Sequence, residues 1–229
     1  GGITAPPFPE QGRERIVDNP TLQTNLIDNN RTAPIYIHHS GKHVCKNQPA
    51  QQSKPAMHTI WIAYGGNQQD PATQLNRARR TLAAQLTETG ASRLYRTPPW
   101  GCDTAQPDYL NAVVRYRTAL EPLSLLNLLQ TIEHQQGRER PYKNAPRTLD
   151  LDLLRYDDLH LDHPRLTLPH PGIRERAFVL RPLADLDPGL PLGEHTVREY
   201  LARCDSTGIE PVTHPDWHPT PNPGDNHAP

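Results

Sequence analysis

Between residues 57 and 203 apolar residues recur in two rhythms: a two-residue step that predicts strands, and three- and four-residue steps that predict helices. The alternation is clearest in Arg147-Thr148-Leu149-Asp150-Leu151-Asp152-Leu153-Leu154. As a strand it sends Leu149, Leu151 and Leu153 to a core and projects Asp150 and Asp152 together from the other side. Upstream, His58 to Tyr64 reads as a strand. Asp70 and Pro71 then supply an N-cap and a first-turn proline for a helix carrying Leu75, Leu82 and Leu86 and ending near Gly90. Ser92 to Thr97 reads as a strand stopped by Pro98-Pro99, and Tyr109 to Ala119 as another. In the latter, Leu110, Ala112, Val114 and Tyr116 share one face, and Tyr109, Asn111 and Val113 the other. A helix from about Leu120 to Gln136 buries Leu125, Leu128 or Leu129, and Ile132, and ends at Gly137. Downstream, a short return strand is expected at Leu159 to Asp162 and a last helix at Glu194 to Arg203.

Outside that span the rhythm fades. Residues 1–56 are rich in Pro, Asn, Gln and Thr, and residues 204–229 in Pro, His and Asn; both are expected to be disordered or loosely attached. His38-His39 has no further ligand nearby, so exposed polar residues explain it. The only methionine of the chain is Met57, directly before the first good strand. Met57 is accordingly read as the biological start, and residues 1–56 as an extension without catalytic function. The domain is expected at 57–203.

Composition narrows the partners. With 34% hydrophobic residues and 26 prolines among 229 residues, part of the chain lacks apolar surface to offset ordering entropy. A formal net charge of -1 gives no bulk attraction to nucleic acid or to anionic membranes. Cys45, Cys102 and Cys204 lie far apart and form no CxxC, which argues against a disulfide framework or zinc cluster and suits a reducing cytoplasm. No run of about 18 apolar residues is present, so no membrane span is expected.

The candidate chemistry centres on the two aspartates. Side-by-side carboxylates repel unless a cation lies between them, and paired hard oxygens with open positions suit Mg²⁺, which takes further ligands from waters and phosphates. An isolated Asp-x-Asp would more readily be a solvated strand edge. Here Arg138, Arg140 and Arg147 precede the pair, and guanidinium groups beside a metal are what phosphate transfer needs. The basic, proline-containing stretch to Pro146 suits a lid over phosphates. Tyr109 and Asn111, two apart on a strand, fit either stacking on a flat heterocycle or an ordinary surface. Gln130 and Glu133 share a helix face.

Five runs carry a resemblance in order and spacing: Tyr95-Arg96-Thr97-Pro98-Pro99; Gln106 to Ala112 (QPDYLNA); Ile132-Glu133 with Gln135-Gln136-Gly137-Arg138; Pro146 to Asp152 (PRTLDLD); and Arg165 to Pro171 (RLTLPHP). Together they resemble the 6-hydroxymethyl-7,8-dihydropterin pyrophosphokinase family of folate biosynthesis, from about Met57 to about Leu192. The resemblance implies transfer of diphosphate from ATP to the hydroxymethyl group of a reduced pterin, with release of AMP. It implies that Asp150 and Asp152 hold two Mg²⁺ ions and that Arg138 and Arg147 come onto the phosphates. Gln130, Glu133, Arg140 and Arg165 then match the nucleotide site, as do Thr167, His170 and Arg176. Thr97, Pro98, Trp100, Tyr109, Asn111 and Phe178 match the pterin pocket, the ring lying between Tyr109 and Phe178. The implied fold is α+β and ferredoxin-like, a mostly antiparallel sheet with helices packed on it. The expected partners are small molecules, not nucleic acid or a membrane, and the expected state is a cytoplasmic monomer.

Two departures stand out. Gly65-Gly66-Asn67 replaces the usual Gly-Ser-Asn, and Asn144-Ala145-Pro146-Arg147 replaces a Trp-Gly-Pro-Arg run in a loop one residue shorter. Loss of that indole predicts slower turnover or weaker closure. Competing readings are an inactive relative that binds nucleotide or pterin, a ferredoxin-like RNA-binding module, and an Asp-x-Asp transferase using nucleotide sugars. Near-zero charge and the lack of an RNP-type aromatic run weigh against RNA binding. The Tyr109/Asn111 pair is left unexplained by the last.

Overall fold

The computed structural model describes residues 55–101, 105–137 and 146–220. The sequence-based readings for residues 1–54, for Arg138 and Arg140 in the basic loop, and for residues 221–229 lie outside them. Its strands and helices in chain order are β1 (His58–Gly66), α1 (Pro71–Ala83), β2 (Thr87–Ala91), β3 (Leu94–Thr97), β4 (Tyr109–Thr118) and α2 (Pro122–Gln135). There follow β5 (Asp150–Tyr156), β6 (Leu161–His163), β7 (Leu166–Leu168), α3 (Ala177–Leu186), α4 (Val197–Leu201) and β8 (Glu210–Val212).

The main sheet runs β5-β1-β4-β3-β8, with β2 also on β4, and every pairing is antiparallel. This is the expected α+β architecture. The buried strands β1 and β4 are the most apolar, and their register sets Gly65 opposite Asn111 and Ile60 opposite Tyr116. One sheet face packs under α1 and α2: Ile60, Ile62, Tyr64, Val114, Leu151 and Leu153 meet Leu75, Leu82, Leu125 and Leu129 in one cluster. The other face packs under α3, where Trp61, Val113 and Leu154 meet Val179, Leu180 and Leu183. The strand period of two thus divides β4 between the cores: Ala112, Val114 and Tyr116 lie in the first and Val113 in the second.

α1 begins where expected. Asp70 accepts from the Thr73 amide at 3.4 Å and from its hydroxyl at 2.7 Å, with Pro71 in the first turn. It ends at Ala83, not near Gly90. Thr87–Ala91 is β2, paired with β4, and Gly90 lies at an irregularity of that pairing, opposite Arg115. The expected strand from Ser92 begins two residues later, at Leu94: the Ser92 amide donates to the Val113 carbonyl at 2.9 Å, but its hydroxyl oxygen, not its carbonyl, accepts from the Val113 amide at 2.9 Å. The last helix is shorter than Glu194–Arg203. A reciprocal cap between Thr196 and Glu199 starts it at Val197.

The largest correction is the tail. Residues from 204 were expected to be disordered, yet β8 pairs with β3, and Ala91 and Thr220 exchange two backbone hydrogen bonds. Trp217 is 3% exposed, donates its indole N–H to the Ser92 carbonyl at 2.8 Å and lies under the Arg79 guanidinium. One anchored indole with backbone pairing orders a segment whose own pattern of Pro and His shows no periodicity.

Candidate active site

The site is built on one row of the sheet. Register places Asp150 of β5 opposite Gly65 of β1, Gly65 opposite Asn111 of β4, and Asn111 opposite Tyr95 of β3. With neighbouring strands about 4.8 Å apart, Asp150 and Asn111 stand roughly 10 Å apart across the glycine. A Cβ at Gly65 would lie 3.0 Å from Asn111 Oδ1 and 3.9 Å from Asp150 Cβ. Glycine therefore keeps the floor between the carboxylate and the amide open.

At one end of the row, Leu149, Leu151 and Leu153 are buried in the α1/α2 core, while Asp150 and Asp152 are half-buried on the other face. The strand alternation expected from the sequence is thus present. Glu133 holds this strand from its outer edge: it is buried, and Oε1 accepts from the Leu151 amide at 2.7 Å, between the two aspartates. Arg147 Nη1 contacts Asp150 Oδ2 at 2.5 Å, and the guanidinium lies 6.0 Å from the Tyr109 ring centroid. Burial works against the charge on Arg147, but Asp150, Tyr109 and Asp152 hold its pKa above the ordinary arginine value. Its Nε is buried without a hydrogen-bond partner, a donor suited to an incoming phosphate oxygen.

Among the described residues no three His, Cys, Asp or Glu side chains converge as a closed metal site. A two-carboxylate set with its other positions left to water and phosphate fits Mg²⁺ and does not fit structural zinc.

At the other end, Asn111 is buried and donates its amide to Thr97 Oγ1 at 2.7 Å. That bond turns the amide oxygen toward the space over Gly65. Trp100 is 57% exposed and lies 6.0 Å from the Phe178 ring, with the Arg176 guanidinium 5.8 Å from one ring centroid and 6.0 Å from the other. Pro98 is exposed, and the Tyr109 hydroxyl donates to Gln106 Oε1 at 3.1 Å. Trp100 and Phe178 thus pack as an indole–phenyl pair.

The remaining residues form a rim. Arg165 donates to Asn127 Oδ1 at 2.6 Å and to Gln130 Oε1 at 3.2 Å, which joins the β6–β7 hairpin to α2. Thr167 is exposed on β7. His170 is pushed down to about 4, by burial first and then by Arg176, with Asp150 opposing. Its Nδ1 accepts from the Gly172 amide at 3.1 Å, which leaves Nε2 as the protonated nitrogen. Gln130 and Glu133 share α2 but not an environment, since Gln130 is exposed and Glu133 faces β5. One residue was missed in the sequence: Asn127 sits three before Gln130, a spacing that places it on the same face. Asn67 entered only as the end of the Gly65-Gly66-Asn67 run, and its contacts were hidden because its partners lie 39, 40 and 80 residues away.

Residues 61–188 match the sequence model of the family described as 7,8-dihydro-6-hydroxymethylpterin-pyrophosphokinase. The chain belongs to this family. It is 44% identical over 158 residues to the Methylorubrum extorquens 2-amino-4-hydroxy-6-hydroxymethyldihydropteridine pyrophosphokinase, covering 68% of this chain and 99% of that one. The Pseudomonas aeruginosa protein of the same name is 44% identical over 156 residues, 66% of this chain and 94% of that one. Among solved structures, wild-type Plasmodium falciparum HPPK-DHPS superposes with a TM-score of 0.53 at 15% identity, covering 66% of this chain. This chain spans 45% of that one, and the likeness bears on the fold alone. The pyrophosphokinase match of residues 61–188 includes both aspartates and the whole Gly65–Asn111 row.

Proposed function

We propose that the chain transfers the β,γ-diphosphate of ATP to 6-hydroxymethyl-7,8-dihydropterin, giving AMP and the pterin diphosphate in folate biosynthesis. The observation that carries this reading is the single row of Asp150, Gly65 and Asn111. It sets a phosphate end and a heterocycle end a short distance apart on one face. The pterin hydroxyl oxygen bonds to the β-phosphorus as the bond from that phosphorus to the α,β-bridging oxygen breaks. AMP takes the bridging oxygen, and the hydroxyl proton passes to solvent or to a carboxylate.

Asp150 and Asp152 are the residues to hold magnesium, two ions in this reading. When bound, the metal would draw charge from the phosphate oxygens. Arg147 adds its guanidinium to that charge, next to Asp150. Asn111 offers its amide oxygen to the polar edge of the pterin, oriented by Thr97. Tyr109 on one side and Phe178 with Trp100 on the other supply stacking faces, about 0.5–1.5 kcal/mol per aromatic pair beyond burial. Gln130, Arg165, Thr167 and His170 line the nucleotide side, and Arg176 stands between the two halves. Neutral His170, protonated on Nε2, would donate to a phosphate oxygen. Arg138 and Arg140 are assigned to the phosphates from the family resemblance. ATP as co-substrate supports a cytoplasmic setting, and among the described residues no helix is long and apolar enough to cross a membrane. Within this reading the chain acts as a monomer on small-molecule substrates.

The deciding assay follows AMP release from ATP and Mg²⁺ with and without the hydroxymethyl pterin. Pterin-dependent AMP is expected. Pterin binding without AMP would instead favour an inactive relative, and no binding of either ligand would remove the reading.

A further inference from the structure

Away from the candidate active site, the C-terminal tail runs beside α1 and leaves a cleft of about 450 Å³, lined by Thr73, Asn76, Arg77, Arg80, Thr81 and Asp216. α1 packs on the sheet face opposite the Asp150–Asn111 row, so the cleft and that row share no residue. The tail is fixed here by contacts of its own. Trp217 lies under the Arg79 guanidinium, and Arg79 Nη1 donates to the His218 carbonyl at 2.9 Å. The Trp217 amide closes a turn on the His214 carbonyl at 3.0 Å, and Asp216, inside that turn, is held at the rim of the cleft.

The lining is polar and largely unspent. Asn76 is 8% exposed, yet its side-chain amide has no hydrogen-bond partner among the described residues. A buried amide costs stability unless it is bonded, so one that lines a cleft without a partner points to a ligand. Arg77 and Arg80 are three apart on α1 and share a face. Among the described residues neither makes an ion pair, with Asp216 or with any other carboxylate, although all three line the same cleft. Opposite charges are thus held apart across open space. The Thr73 hydroxyl donates to Asp70 Oδ2 at 2.7 Å, and the Thr81 hydroxyl to the Arg77 carbonyl at 3.0 Å. Each has spent its hydrogen, so toward the cleft these oxygens can only accept.

This inventory selects the chemistry of an occupant. Two guanidinium groups match the near-double charge of a phosphomonoester better than the single charge of a carboxylate. Asp216 and the two threonine oxygens then call for hydrogens elsewhere on the same ligand, which hydroxyl groups supply. The volume falls within the roughly 300–1,000 Å³ usual for small-molecule sites. We propose that the cleft between α1 and the tail binds a small hydroxylated phosphomonoester, a sugar phosphate in chemical class. Its phosphate lies on Arg77 and Arg80, its hydroxyls on Asp216 and the threonines, and Asn76 bonds between them. The inference does not depend on the activity proposed above.

The test is NMR titration of the full-length ¹⁵N-labelled chain, without Mg²⁺, with ribose 5-phosphate, inorganic phosphate and ribose. Ribose 5-phosphate should shift the Asn76 side-chain amide and the Trp217 indole N–H with a Kd of about 1 mM or tighter. It should bind about 10-fold tighter than inorganic phosphate, and ribose should produce no shift. Arg77→Ala and Arg80→Ala, at exposed positions, should each weaken binding about 10-fold with Tm and AMP release unchanged. Asp216→Ala should remove most of the advantage over inorganic phosphate. Asn76→Leu, close in volume, should weaken binding without lowering Tm, because it deletes an unpartnered buried amide. A lower Tm with binding intact would make Asn76 structural and overturn the inference. Shifts confined to the Asp150–Asn111 side, a Kd unchanged in both arginine variants, or equal affinity for inorganic phosphate would each overturn it as well. The pyrophosphokinase reading stands or falls separately, on AMP release.

Discussion

On the face of the sheet beneath α1 and α2, Ile60, Ile62, Tyr64, Val114, Leu151 and Leu153 are all at most 4% exposed. On the opposite face the same strands present Trp61, Val113 and Leu154 beneath α3, and then Asp152, Asp150, Gly65 and Asn111 beyond it, with Thr97 of β3 beside Asn111. The first face stabilises the domain along its length. The second does so over only part of its length and gives the rest to polar groups that a closed core would not tolerate unpaired. Because successive side chains alternate, β5 serves both faces within seven residues. Substitutions one position apart should therefore fail in different ways.

The sharpest way to break this contrast is Asp150→Ala and Asp152→Ala. Each should lower kcat by about 1,000-fold or more, with Tm little changed, because the side chains lie outside the core. Turnover retained by either, measured as AMP release, would remove that residue from the metal assignment. Leu153→Ala, next to Asp152, should do the reverse. It should destabilise the fold by about 3 kcal/mol in denaturant titration while leaving kcat of the folded fraction near wild type. A large kcat effect at unchanged stability would mean that the faces are not separable.

Gly65→Ala probes the open floor between them. Its Cβ would press on Asn111 Oδ1, so pterin KM should rise about 10-fold with only a small change in stability. An unchanged KM would show that the space over Gly65 is not where the heterocycle lies.

The last test concerns His170, whose pKa burial and Arg176 push down to about 4 against an ordinary 6.5. A depressed histidine pKa means that the unfolded chain takes up the proton first. Stability should thus be complete above about pH 6.5 and fall as pH drops toward 4, by at most about 3 kcal/mol. NMR titration of the His170 ring gives the direct check, and a midpoint near 6.5 would contradict its buried, Arg176-facing environment.

How much of this was legible in the chain follows from the range of the interactions. Leu149, Leu151 and Leu153 alternating with the aspartates declared both faces of β5, since that pattern is local. Asp70-Pro71 declared the start of α1 for the same reason. Gly90 misled, because glycine marks helix ends and strand irregularities alike, and only pairing with β4 decides between them. The contacts of Trp217 and Asn67 were hidden for a different reason. Their partners Ser92, Gln106, Pro107 and Arg147 are remote in sequence, and no periodicity records a single long-range bond. The candidate residues that resemblance supplied, such as Arg165 and His170, had no pattern of their own either.

The ordering of the tail has a practical consequence for anyone trimming the chain. The family match stops at residue 188, and a truncation placed after residue 203 would look harmless by similarity. It would strip β8 from β3 and empty the niche that Trp217 fills, leaving unsatisfied strand amides next to an uncovered apolar hollow. Such a shortened protein should self-associate through that bared margin. Keeping the chain through Thr220 is the way to a well-behaved sample.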